Sequence, residues 1–127
     1  MKRILIIDDS RDLLEAMRMF LELKNYHVKT LTDCNDIIHI VEEYHPDLVI
    51  VDVFLSGEDG REICKKLKQY DDTKHVCIIL LSGSAEILRN HKEFGADSFI
   101  EKPFDVNHLL EKIEQALDLC GGQKFKI

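Results

Sequence analysis

Five short apolar runs punctuate this chain, and each is followed by a stretch whose apolar residues recur at three- and four-residue steps. The runs fall at residues 3–8, 27–31, 47–52, 76–81 and 97–101. Short apolar runs bounded by polar or turn residues read as strands, and a run apolar throughout reads as a strand buried on both faces. The second run, His27-Val28-Lys29-Thr30-Leu31, alternates polar and apolar residues. It therefore belongs at a sheet edge.

The stretches between the runs carry helical stripes. Leu13, Leu14, Met17, Phe20 and Leu21 share one face of the first, with Asp9 or Ser10 as its cap. Ile37, Ile38, Val41 and Tyr44 form the second, which stops before Pro46. Ile63, Cys64 and Leu67 face inward after Gly60 in the third. A weaker stripe over residues 85–94 carries Ile87, Leu88 and His91, with Gly95 as its C-cap. The fifth begins near Asp105, carries Val106, Leu109, Leu110, Ile113, Ala116 and Leu117, and is expected to stop near Gly121-Gly122. Strand–helix alternation repeated five times predicts an α/β fold, a doubly wound (βα)5 parallel sheet with helices on both faces. Residues 1–120 form one domain in this reading and residues 121–127 a C-terminal tail.

Length and charge narrow the field. A chain of 127 residues suits a single core. A net charge of −7 argues against a dedicated nucleic-acid surface, which needs surplus Lys and Arg. No apolar run approaches the roughly 18 residues of a membrane span. The start, Met1-Lys2-Arg3, leads into an apolar stretch too short for a signal peptide, and a cytoplasmic location is expected. Cys34, Cys64, Cys77 and Cys120 are widely spaced with no Cys-x-x-Cys pair, so all four are expected to be reduced, with Cys64 and Cys77 in the core. The six histidines show no zinc-like spacing.

Candidate chemistry comes from where the runs end. Asp8 and Asp9 close the first run, Asp52 the third, and Lys102, before Pro103, follows the fifth. In a doubly wound sheet, ligands bind beyond the C-terminal strand ends where strand order reverses. Parallel packing would gather three carboxylates and one ammonium on that edge, together with Ser82. Carboxylates crowded this way are unfavourable unless a cation intervenes or one takes up a proton. Oxygen-only ligands suit Mg²⁺. Asp52 can then act as a nucleophile toward a phosphoryl group. The Lys102 ammonium, the Ser82 hydroxyl and backbone N–H groups near Gly83 are placed to meet the transferring oxygens.

These residues, in this order, resemble the receiver domain of two-component response regulators. The likeness runs from about Lys2 to about Leu119. It is carried by Asp8-Asp9, by Val51-Asp52-Val53-Phe54-Leu55-Ser56-Gly57-Glu58-Asp59-Gly60, by Leu80-Leu81-Ser82-Gly83-Ser84-Ala85, and by Asp97-Ser98-Phe99-Ile100-Glu101-Lys102-Pro103-Phe104. The resemblance implies a three-layer, flavodoxin-like sheet of strand order 2-1-3-4-5. It implies that Asp52 accepts a phosphoryl group from a histidine kinase or a histidine phosphotransfer protein. Asp9 and Asp52 would hold Mg²⁺ directly with the backbone carbonyl of Phe54, and Asp8 through water. Lys102 would bridge to the phosphoryl oxygens, with a cis bond to Pro103. Ser82 and Phe99 would form the switch pair. The readout would lie on the face of the fourth helix, fifth strand and fifth helix, around Ser84–His91, Phe99–Lys102 and Asp105–Leu110. A downstream protein or a phosphorylation-dependent second copy of the chain would bind there, with no direct nucleic-acid or membrane contact.

The sequence departs from that family pattern at several points. Ser56 stands where proline is common, which predicts a more mobile loop. Ser82 replaces a frequent threonine and keeps the hydroxyl. Phe99 replaces a frequent tyrosine and loses one. Phe54 and Ser84 occupy positions that tune hydrolysis of the acyl phosphate in the family. Competing readings are a Mg²⁺-dependent phosphohydrolase with Asp52 as nucleophile, a phosphate-independent scaffold, and a flavin-binding module of the same topology. The first lacks a second acid, because Phe54 stands where an Asp-x-Asp pair would place it. The last lacks a Ser/Thr/Gly phosphate loop after the first strand.

Overall fold

The computed structural model describes residues 1–124, with side-chain surroundings through residue 121. Five parallel strands form the main sheet: β1 Arg3–Ile7, β2 His27–Leu31, β3 Leu48–Asp52, β4 Cys77–Ser82 and β5 Ser98–Glu101. Their order is β2-β1-β3-β4-β5, which bears out the predicted topology and puts β2 at an edge. A small antiparallel ribbon, Phe54–Leu55 with Glu58–Asp59, follows β3 and turns through Gly57 at φ +76°.

The helices are α1 Arg11–Leu23, α2 Ile37–Tyr44, α3 Gly60–Gln69, α4 Ala85–Leu88 and α5 Val106–Lys124. They divide the core into two layers. Leu14, Met17 and Leu21 of α1 and Leu109, Ile113 and Ala116 of α5 pack on Ile4, Ile6, Leu48, Ile50, Ile79, Leu81 and Ile100. Ile37 and Val41 of α2, Ile63, Cys64 and Leu67 of α3 and Leu88 of α4 pack on Leu5, Ile7, Val49, Val51, Ile78 and Leu80. Odd and even strand positions thus serve opposite layers, as a two-residue strand repeat requires. β3 and β4 are buried along their whole lengths, which explains their unbroken apolar runs.

Local chemistry sets the helix ends. Ser10 caps α1, its Oγ accepting from the Leu13 N–H at 3.2 Å, which decides between Asp9 and Ser10. His45 ends α2 at φ 53°, directly before Pro46. Asp105 accepts from the His108 N–H at 2.7 Å at the start of α5.

Three expectations are corrected. The fourth helix is not continuous over 85–94: α4 is a single turn, and a separate 3₁₀ turn spans His91–Phe94 before Gly95 at φ +86°. Leu88 is its one fully buried side chain, too little apolar surface to hold a longer helix on the sheet. The fifth helix does not stop near Gly121-Gly122 but runs to Lys124, since a glycine costs a helix only about 1 kcal/mol relative to alanine. Residues 125–127 of the expected tail lie outside the described residues. Finally, the cysteines are not all reduced. Cys77 and Cys120 are joined as a disulfide, while Cys34 and Cys64 are free and buried. The 43-residue separation hid this pair, which the packing of α5 on the start of β4 brings to a Cα–Cα distance of 5.9 Å. No helix among the described residues is long and apolar enough to cross a membrane.

Candidate functional site

The switch in strand order between β1 and β3 opens the C-terminal edge of the sheet, and the charged residues gather there. Asp8, Asp52 and Lys102 each stand two positions past an apolar residue of the α1/α5 layer, namely Ile6, Ile50 and Ile100. The strand repeat therefore directs all three to the same side of the sheet. The contacts agree: Lys102 Nζ donates to Asp8 Oδ2 at 2.8 Å and to Asp52 Oδ2 at 3.3 Å. Carboxylate oxygens of Asp8, Asp9 and Asp52 lie within 4.8 Å of one another.

Burial marks this edge as unusual. Among the described residues, the buried polar side chains are Asp8, Asp52, Thr73 and Ser82. Thr73 is a structural case, its hydroxyl donating to the Leu67 carbonyl at 2.6 Å. The other three line the strand edge, where buried charge has to be compensated. Burial pushes the Asp52 carboxyl above the ordinary aspartate range; the charge of Asp8 adds to this, and Lys102 opposes it. For Lys102, burial pulls downward, but the hydrogen bond to Asp8 and the charges of Asp52 and Asp8 prevail and raise it. The cluster is short of positive charge even with Lys102 in place.

The oxygens are also partly committed. Asp8 Oδ1 accepts from the Ser10 N–H at 2.9 Å, which fixes the carboxylate against the first turn of α1. Asp52 Oδ1 accepts a long bond from the Phe54 N–H at 3.3 Å. Asp9 is exposed and accepts from the Ser56 hydroxyl at 3.1 Å. What remains is a cup of hard oxygen donors with surplus negative charge, and this donor set fits Mg²⁺.

Ser82 and Phe99 are near this cup but not in it. Ser82 is fully buried, and its Oγ accepts from the Ser84 N–H at 3.0 Å. Its carbonyl accepts from the Lys102 N–H at 2.8 Å, so Ser82 and Lys102 are tied through the backbone. Phe99 pairs in register with Leu80, two positions before Ser82 on the same strand face. Its half-buried ring lies 4.8 Å from the His91 ring, with Lys112 Nζ 4.6 Å from its centroid. Ser84 caps α4 through the Ile87 N–H at 3.4 Å. The Phe54 side chain is 57 % exposed. The Lys102–Pro103 bond is cis.

Sequence reasoning missed several supports. Ser56 is not simply a lost proline, since it tethers the ribbon to Asp9. Gly60 passes so close to β3 that a Cβ there would collide with the Asp52 carbonyl oxygen. Asp97 Oδ2 accepts from the Ile78 N–H at 2.9 Å and from Lys68 Nζ at 3.3 Å, pinning β5 to β4 and α3. The glycine after the loop that follows β3 and the aspartate before β5 were visible in the sequence, but their partners were not.

Comparison with known proteins agrees with this geometry. The response regulator receiver domain family matches residues 4–114, and the chain belongs to that family. The response regulator ArlR of Staphylococcus aureus (strain MW2) is 33% identical over 117 residues, covering 92% of this chain and 53% of that protein. The chain thus spans about half the length of the curated relatives it matches. A CheY-like receiver domain protein from Methanospirillum hungatei JF-1 superposes with a TM-score of 0.87 at 29% identity, over 97% of this chain and 98% of that one. A response regulator from Chloroflexus aurantiacus J-10-fl gives 0.85 at 28%, over 92% and 98%. The beryllofluoride-activated NtrC4 receiver domain dimer gives 0.85 at 25%, over 94% and 99%.

Proposed function

We propose that this chain is a phosphorylation-dependent signalling switch of the cytoplasm, not an enzyme acting on an outside substrate. The observation that carries the reading is one ammonium, Lys102, held between Asp8 and Asp52 at 2.8 and 3.3 Å, with the Asp9 carboxylate beside them. In this reading an Asp52 oxygen attacks the phosphorus of a phosphohistidine, on a histidine kinase or a histidine phosphotransfer protein. The P–N bond breaks, and the departing imidazole takes a proton from solvent. Asp9, Asp52 and the Phe54 carbonyl would hold Mg²⁺, with Asp8 acting through water. When bound, the ion supplies positive charge that offsets the acidic oxygens and those of the phosphoryl group.

Lys102 exchanges its longer contact to Asp52 for a phosphoryl oxygen. The Ser82 hydroxyl hydrogen, not used in its bond from Ser84, donates to another. Movement of Ser82 opens space behind it, and Phe99 turns inward, leaving His91 and Lys112. A change of nearly two charge units at a buried edge is large enough to bias such a two-state element. The readout face joins α4, β5 and the start of α5, and takes a downstream protein or a second copy of the chain. The NtrC4 relative, described as a beryllofluoride-activated dimer, supports the second of these. No direct contact with nucleic acid or membrane is part of the proposal.

The test is mass spectrometry after incubation with a small phosphodonor and Mg²⁺. One phosphoryl adduct is expected on the wild type and none on Asp52→Asn. An adduct that survives this substitution, or that forms equally in EDTA, refutes the reading.

A further inference from the structure

The end of β4 opposite the acidic cup holds a second chemical group that phosphoryl transfer does not use. Cys77 opens β4 and Cys120 lies in the closing turns of α5, and their sulfurs are bonded. We propose that Cys77 and Cys120 are a reversible redox pair, a modification site that sets how firmly the C-terminal half of α5 is held against the sheet.

Three features of the surroundings support reversibility. First, an acceptor for the reduced form is at hand: the Cys77 sulfur lies 3.4 Å from the Ala116 carbonyl oxygen, which takes its S–H once the bond opens. Second, the partners are unequally sheltered. Cys77 is 1% exposed within the sheet layer, whereas Cys120 is 8% exposed near the end of a helix, beside the half-exposed Leu119. Opening the last turn of α5 admits a reagent to Cys120 while β4 stays intact, since helix ends open more readily than central strands. Third, the pairing is selective. Cys77 and Cys120 share the core layer under α1 and α5, whereas Cys34 and Cys64 are buried in the layer on the other face of the sheet, where burial pushes their thiols up to about 12.

The site is also rigid on its fixed side. A carboxylate oxygen of Asp97 lies within 4.8 Å of both sulfurs. Asp97 is itself bound by the Ile78 N–H and Lys68 Nζ, which locks the strand next to Cys77. Motion is therefore left to α5. The same helix places Lys112 over the Phe99 ring, eight residues or roughly 12 Å before Cys120 along the axis. A bond at Cys120 restrains the helix that contacts the aromatic ring. Only this last consequence rests on the proposed switch; the thiol chemistry does not.

The oxidant is a low-molecular-weight disulfide, RSSR. The Cys120 thiolate attacks one of its sulfurs, the RS–SR bond breaks, and one RS⁻ leaves. The Cys77 thiolate then attacks the Cys120 sulfur of the mixed disulfide and expels the second RS⁻. The two protons released by the cysteines pass to the departing thiolates, so the dithiol and RSSR become the protein disulfide and two RSH. A small dithiol reverses both exchanges.

The full chain, reduced and then exposed to oxidised glutathione in native buffer, tests this. After denaturation and N-ethylmaleimide treatment, the reduced protein takes four adducts, matching its four cysteines, and the oxidised protein two. A peptide linking Cys77 to Cys120 is expected, and dithiothreitol in native buffer restores four adducts. Amide exchange over residues 113–120 is expected to slow about tenfold on oxidation. It should not respond to oxidant in Cys120→Ala, a conservative change at a helix end. Four adducts after oxidation, a bond between other cysteines, reversal only in denaturant, or unchanged exchange in α5 overturns the proposal. The Asp52 phosphoryl adduct is read in the same spectra, so loss of one reading is seen separately from loss of the other.

Discussion

The two ends of β4 hold different kinds of polar chemistry. At its C-terminal end, Ser82 lies by an edge where Asp8 and Asp52 share one ammonium with Asp9 beside them, and the three carboxylates remain short of positive charge. At its N-terminal end, roughly 17 Å away along the strand, the disulfide and the carboxylate of Asp97 sit among satisfied partners. Among the described residues, no buried side-chain polar atom lacks a hydrogen-bond partner at either end. The difference lies in charge. One end is left short of positive charge, and the other joins strand, helix and sheet through satisfied contacts.

The largest effect expected from breaking this contrast comes at Gly60. A side chain there collides with the carbonyl of Asp52, so Gly60→Val should cost about 3 kcal/mol or more in urea denaturation. Gly83→Ala, where an added Cβ meets nothing within 4 Å, should change stability by less than about 0.5 kcal/mol. Equal losses in the two variants would remove the claim that the start of α3 passes tightly under Asp52.

Next is the opposite end. Asp97→Ala strips the Ile78 N–H of its partner and leaves Lys68 Nζ the Val76 carbonyl at 2.6 Å, and should destabilise by about 2–3 kcal/mol. Magnesium affinity, measured by titration, should stay within about twofold, because distant sites behave independently. A large loss of magnesium binding would show that the two ends are coupled.

A smaller effect sharpens the charge argument. The native fold holds the Asp52 proton more tightly than the unfolded chain does, because that carboxyl is raised. Stability from this group is greatest below the unfolded value of roughly 3.9 and falls as pH rises from there through the raised native value. Asp52→Asn lacks that loss. In metal-free buffer it should be more stable than wild type at pH 7.5, with the gap narrowing toward pH 4. Lys102 acts at the other extreme: its raised value keeps its contribution through neutral pH and loses it above about pH 10.4. A variant less stable than wild type at pH 7.5 would contradict the charge shortage.

The smallest expected effect concerns lifetime. The Phe54 N–H reaches Asp52, which puts this residue at the mouth of the cup, with its side chain largely exposed. Phe54→Asn should speed loss of the phosphoryl group severalfold by admitting water, as followed by decay of the mass adduct. Equal or slower hydrolysis would remove any shielding role for the ring.

Much of this protein follows from local sequence. The alternation of apolar runs with helical stripes determined five strands, five helical stretches and the edge position of β2, because both signals repeat within a few residues. Asp8, Asp9, Asp52, Ser82 and Lys102 were legible for the same reason: each ends an apolar run, and parallel strands deliver such ends to one edge. What those residues touch was decided by tertiary structure. The Ser56–Asp9 bond, the passage of Gly60 under β3, the grip of Asp97 on Ile78 and the ring contacts of Phe99 all join separate elements. So does the Cys77–Cys120 bond, which spans 43 residues. Periodicity fixes which face a residue occupies, but register, layer and the packing of α5 fix its neighbour. Those are settled only when the whole core closes at once.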